Sequence, residues 1–207
     1  MVRLAYALAV IAGTLALPDG GWAQDRAGFH YDERGRLVQG PAPVEARPGT
    51  EFFVTMPLAG MVSRTQERPG VRQTDWLPPG QSIDRAHRVV TIERIAGGAG
   101  AAAPVRFISG LTTCLRSCPD GRTDVVGQAP VSGHPAAHVT IDLSPNAANP
   151  QPRRVFALAV SGERDLHVIT VVIRGSLSRA DAEFAEAVLR SVVMCTAGAR
   201  APVCQAR

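Results

Sequence analysis

The sequence predicts an α+β fold: a single domain in which an antiparallel β-sheet is packed by a C-terminal helix and a shorter central helix. Three observations carry this. From residue 50 to residue 173, short segments rich in Val, Ile, Thr and Phe alternate with Gly, Pro and Asp turn residues. The last two, 155–160 and 166–173, flank the polar Ser161-Gly162-Glu163-Arg164-Asp165 and read as an antiparallel hairpin. Then Ser178-Arg179-Ala180-Asp181 supplies a capping box, and Phe184, Val188, Ser191/Val192 and Cys195 follow at helical spacing.

At the start of the chain, residues 1–23 carry Arg3, an apolar run over 4–17, Pro18-Asp19-Gly20-Gly21 and the small-x-small ending Gly21-Trp22-Ala23. These are the three parts of a secretory signal peptide. The run of 14 residues is shorter than the ~20 needed to span a bilayer. Cleavage is therefore expected, leaving a mature chain from near Gln24 that is periplasmic or secreted and has no membrane span. Residues 24–49 hold few large apolar side chains and are expected to form a flexible lead-in, followed by the domain over 50–207.

Within that domain, strands are expected at 52–56, 61–65, 71–77 and 88–95, the last with Val90 and Ile92 on one face and Val89 and Ile95 on the other. The Ala/Gly run through Ala103 reads as a loop. Leu111, Cys114, Leu115 and Cys118 recur at i, i+3, i+4 and i+7, which predicts a helix near 110–118 stopped by Pro119-Asp120-Gly121. Strands near 123–129 and 136–143 come next, then a Pro-rich loop over 144–152. The terminal helix is expected over 179–195 with Phe184 packed on the sheet, so that Phe184→Ala would cost about 3–5 kcal/mol.

Composition removes several mechanisms. All 22 basic residues are Arg and none is Lys, which excludes a Schiff base, a Walker-type phosphate loop and a Ser-Lys nucleophile. The net charge of +4 is spread along the chain rather than clustered, so nucleic acid is not an expected partner. Arg153-Arg154 and Arg85/Arg88 are expected as solvated edge charges that discourage strand-to-strand aggregation. No G-x-S-x-G is present, and a Ser-His-acid set would have to converge in space.

The cysteines hold the sharpest chemistry. Cys114, Cys118, Cys195 and Cys204 all fall in the mature part, and an even count in an exported chain reads first as disulfides. Three connectivities are open; bridges tying the 114/118 helix to the 195/204 segment are favoured because the tail lacks an apolar anchor other than Val203. The segment Cys114-Leu115-Arg116-Ser117-Cys118-Pro119 resembles the metal site of Sco-type copper chaperones. That resemblance implies copper held by Cys114 and Cys118, whose thiolates suit Cu(I). Among the histidines, His134 and His138 fall ~13 Å apart on an extended strand, and His167 reads as a hydrogen-bonded core or edge residue.

The order of elements, with strands around an interposed helix, Gly133-His134-Pro135-Ala136 leading into a strand, a long hairpin, and a terminal helix ending in Leu189-Arg190-Ser191-Val192, resembles the PsbP-like fold group. That group includes the exported bacterial DcrB and LpqN families, and the likeness spans about residues 50–195. It implies accessory or partner-binding roles without a common catalytic set. The expected function is thus an exported, non-enzymatic domain that binds an envelope protein or small ligand through its sheet surface or a groove beside the terminal helix, with no cofactor. The alternative is a copper-binding or thiol-redox protein using Cys114 and Cys118.

Overall fold

In the computed structural model of the chain, residues 29–31, 37–39, 51–54, 58, 60–117, 121–145 and 150–195 are described. The expected signal peptide, Cys118 and Cys204 lie outside them. In chain order the elements are β1 (Phe29–Tyr31), β2 (Leu37–Gln39), β3 (Phe52–Val54), β4 (Val62–Arg68), β5 (Val71–Leu77), β6 (Arg88–Ile95), α1 (Ala103–Ser117), β7 (Gly121–Gly127), β8 (Ala136–Leu143), β9 (Arg153–Ser161), β10 (Leu166–Arg174), α2 (Arg179–Arg190) and β11 (Val192–Met194).

Seven strands form one sheet in the order β4-β5-β6-β10-β9-β8-β7, every neighbour antiparallel. β10 lies at its centre, and all nine of its residues are buried. That explains why 166–173 reads as a nearly continuous apolar run: with both faces covered, no position is left for alternating polar side chains.

The two faces are covered differently. On the first, Phe107, Ile108 and Leu111 of α1 pack on Val139, Ile141, Val155, Ala157 and Val168. The small side chains of Ala137, Ala157 and Ala159 beneath them are fully buried. On the second, Ala185 and Val188 of α2 join Phe52, Val54, Val192 and Met194 against Phe156, Leu158, Val160, Ile169, Val171 and Ile173. Those four come from a two-stranded ribbon in which Val192, Val193 and Met194 pair with Val54, Phe53 and Phe52. The molecule is therefore the expected α+β domain.

Some boundaries differ from expectation. α1 begins at Ala103 rather than near 110. The Ala run favours helix, and Pro104 sits in the first turn, where its missing N–H costs nothing. With 15 residues against 12 for α2, the central helix is the longer of the two. α2 ends at Arg190, not 195: the Ser191 N–H donates to the carbonyls of Ala187 and Val188, and its hydroxyl also donates to Val188. Beyond it the β-prone Val192–Met194 becomes a strand. Phe184 is only half-buried, with the Arg88 guanidinium 5.0 Å above its ring. Inside 24–49, β1 and β2 pair with each other; the rest of that segment lies outside the described residues.

Candidate functional site

Strand parity places a polar column inside the sheet. Register aligns Gln73 with Glu93 and Val168, and Asp75 with Thr91 and Thr170, all on the α1 face. Arg64 and Gln66 lie opposite Asp75 and Gln73 from the edge strand β4. The Asp75 carboxylate accepts from Gln73 Nε2 at 3.0 Å on both oxygens and from the Thr91 hydroxyl at 2.7 Å. Glu93, 4% exposed, has its pKa pushed up to about 7, by burial first and then by the Asp75 charge, with Arg68 opposing. Burial likewise raises Asp75 against its hydrogen bonds from Gln73 and Thr91. The sequence signal was present in the odd positions of 88–95, where Thr91 and Glu93 share a face with Val89 and Ile95.

At one end of the β9–β10 hairpin, His167 Nε2 lies 3.0 Å from Glu51 Oε1, and its ring stacks on Phe52 with centroids 5.1 Å apart and planes within 6°. Burial lowers the His167 pKa against the pull of Glu51, so the neutral ring donates Nε2–H to the carboxylate. The other Glu51 oxygen accepts from the Glu163 N–H at 3.1 Å. A side chain at Gly162 would collide with that carboxylate, so glycine there is what admits Glu51. His167 is thus the hydrogen-bonded core residue that its sequence context suggested.

At the entrance to α2 the capping box forms as expected: Ser178 Oγ accepts from the Asp181 N–H at 3.1 Å and Asp181 Oδ2 accepts from the Ser178 N–H at 3.0 Å. Asp181 Oδ1 also takes Arg88 Nε at 2.7 Å and faces His87 Nε2 at 3.1 Å. Burial works against the charge, yet these bonds together hold the Asp181 carboxyl well below the usual range. The residue types are Ser, His and Asp, but their order is wrong for a nucleophile. Ser178 Oγ donates to Asp181 at 2.6 Å and the histidine lies on the opposite carboxylate oxygen, so no base faces the hydroxyl.

A groove of about 300 Å³ opens beside that entrance, lined by Asp142, Leu143, Ser144, Pro145, Pro152, Arg153, Arg154, Gly175, Ser176 and Leu177. Here the expectation of solvated edge arginines is corrected. Arg153 is 6% exposed and lies directly opposite Arg174, also 6% exposed. They sit on the inward α1 face, because residues 153, 155, 157 and 159 alternate onto one side of β9. Arg154, on the other side, grips both oxygens of Asp142, and Arg88 serves Asp181; Arg85 alone is well exposed.

The remaining candidates separate. His134 sits in a tight turn, bridging to Val131 and donating Nδ1–H to the Ser161 carbonyl at 3.0 Å, while the His138 ring lies over Gly127. The described residues include no group of three or more His, Cys, Asp or Glu able to hold a metal. Cys118 and the side chain of Cys114 lie outside the description, so the paired-thiolate arrangement is not placed. Cys195 is 5% exposed and follows β11. Among the described residues no helix is long and apolar enough to cross a membrane.

Fold and groove together define an α+β domain with a cleft at one sheet end, lined by apolar side chains and by Asp142, Arg153 and Arg154. No protein-family model and no curated protein matches the sequence. Solved structures similar to it include the apo immunity protein TplEi of the T6SS from Pseudomonas aeruginosa, at 13% identity, TM-score 0.43, covering 75% of this chain and 53% of that one. The Saccharomyces cerevisiae Ran-binding protein Mog1p shows 11% identity and TM-score 0.44, covering 73% and 93%. Cyanobacterial PsbP (CyanoP) from Synechocystis shows 12% identity and TM-score 0.38, covering 75% and 99%. The chain spans about half the length of the immunity protein.

Proposed function

We propose that the chain is an exported, non-enzymatic accessory domain of PsbP-like type that binds an envelope protein or small ligand at the groove between β8, β9 and the start of α2. In this reading residues 1–23 direct export to the periplasm or beyond, 24–49 lead into the domain, and disulfides among Cys114, Cys118, Cys195 and Cys204 staple it. The observation that carries the reading is the groove itself, a cleft of about 300 Å³ floored by a buried Arg153 and walled by Leu143, Pro145, Pro152 and Leu177. Apolar walls with a few placed polar and charged groups, here Asp142, Arg153 and Arg154, are the usual composition of a binding site. Neither the inward carboxyls Asp75 and Glu93 nor the Ser178–Asp181–His87 cluster lines it.

The test is native mass spectrometry of the mature protein after incubation with envelope extract, beside Ser176→Trp. Ser176 is exposed on the groove wall, so the variant fills the cleft without touching the core. A species retained by the parent and absent from a folded variant is the expected result. Equal retention by both, or by neither, overturns the assignment.

A further inference from the structure

We propose that two copies of the chain pair edge to edge through β4, antiparallel about Thr65, into one continuous sheet. This surface lies at the far end of the strand order from the groove and stands apart from the binding reading above. Of the two outer strands, β7 is interrupted by a bulge between Thr123 and Val125, which spoils pairing along its outer side. β4 instead runs in unbroken register with β5 over all seven residues, holds no proline or glycine, and exposes Thr65 and Glu67.

The direction of its backbone groups follows from β6. The Ala96 N–H donates to the Gly70 carbonyl at 2.8 Å, so Val71 and Ile95, the pair just inside that bond, exchange none, and Val71 turns its N–H and C=O towards β4. Alternation then points the groups of Val62, Arg64, Gln66 and Arg68 at β5 and those of Ser63, Thr65 and Glu67 outward. Among the described residues, no strand pairs with that outward side.

A second copy fits this edge in one register. With Thr65 facing Thr65 of the second copy, Ser63 faces Glu67 and every outward group meets a partner. Arg64 then faces Gln66 and Arg68 faces Val62, so no like charges are opposed. Arg64 Nε is buried without a hydrogen-bond partner, and the Gln66 side-chain carbonyl of the second copy can accept from that guanidinium. Sliding two residues one way sets Arg64 against Arg64; sliding the other way sets Arg64 against Arg68 and Ser63 against Pro69, which has no N–H. The arginines therefore restrict edge pairing to one register. A seam of seven residues is small beside the roughly 1,200–2,000 Å² of a lasting interface, so the dimer is weak and reversible.

The test is sedimentation equilibrium of the mature protein over a concentration series, beside amide hydrogen exchange at its two ends. The expected result is a monomer-to-dimer equilibrium in which the Ser63, Thr65 and Glu67 amides gain protection as concentration rises. Thr65→Pro removes an outward N–H and none that β5 uses, so the folded variant should dimerise about tenfold more weakly. Thr65→Lys and Thr65→Glu should each stay monomeric alone and associate when mixed; these exposed substitutions decide the matter if the proline variant does not fold. A parent that is monomeric throughout, a Thr65→Pro variant that dimerises like the parent, or a mixture without association overturns the proposal. Protection of those amides that follows added envelope extract and not protein concentration gives the edge to a foreign strand, and overturns it too.

Discussion

Glu93 carries a raised pKa, and the sign of that shift fixes how stability must vary with pH. Its carboxyl is buried, lies on the same face of β5 and β6 one register pair diagonal to Asp75, and has its pKa pushed up to about 7 from 4.5. A carboxyl with a raised folded pKa favours the native state while neutral. That advantage is whole below about pH 4.5 and is lost progressively as pH rises from there to about 7. Two to three pKa units correspond to about 3 kcal/mol. Glu93→Gln keeps the shape and removes the charge, so it should stabilise the protein by about 2–3 kcal/mol at pH 8 and by little at pH 4.5, read by urea unfolding at both. Equal changes at the two pH values would show that Glu93 reaches water. The face of Glu93 was legible in the sequence, since parity with Val89 and Ile95 follows from period-2 geometry. Its burial was not, because alternation says nothing about what lies above a face. Arg153 was misread for the same reason.

The terminal helix tests the same distinction one level up. Its start was readable because a capping box is local: Ser178 and Asp181 satisfy each other's backbone within one turn. Its end was not. The helical stripe runs on through Val192 and Cys195, but Val192–Met194 pairs instead with Phe52–Val54, well over a hundred residues earlier in the chain. A long-range strand partner cannot be inferred from spacing. The shorter helix moves the packing centre to Ala185 and Val188, both fully buried, and leaves Phe184 at the rim under Arg88. Val188→Ala should therefore cost about 2 kcal/mol and Phe184→Ala only about 1 kcal/mol, not the 3–5 kcal/mol of a core phenylalanine. Denaturant midpoints for the pair check this; a larger loss for Phe184→Ala would mean that α2 is rotated towards that side chain. The β9–β10 hairpin, whose strands are adjacent in sequence, needed no such correction.

For the whole molecule, the ribbon of β3 and β11 does more than cover a sheet face: it brings the first and last described parts of the domain together. The Cys195 N–H donates to the Glu51 carbonyl at 2.6 Å, and Glu51 in turn holds His167 in the central strand. A disulfide from Cys195 would fix this closure, whichever cysteine answers it, by removing loop entropy from the unfolded chain. Bridges over loops of this length contribute roughly 3–5 kcal/mol each. Under native, non-reducing conditions all four thiols should resist alkylation, and reduction should lower the unfolding free energy by about that amount per bridge. Mass-spectrometric mapping would identify the pairs. Rapid native labelling of Cys114 and Cys118 would sink the staple and leave two neighbouring thiolates available for a soft metal. The burial of Cys195 directly after the paired strand β11 weighs towards the staple, because a buried sulfur is poorly placed to exchange a ligand.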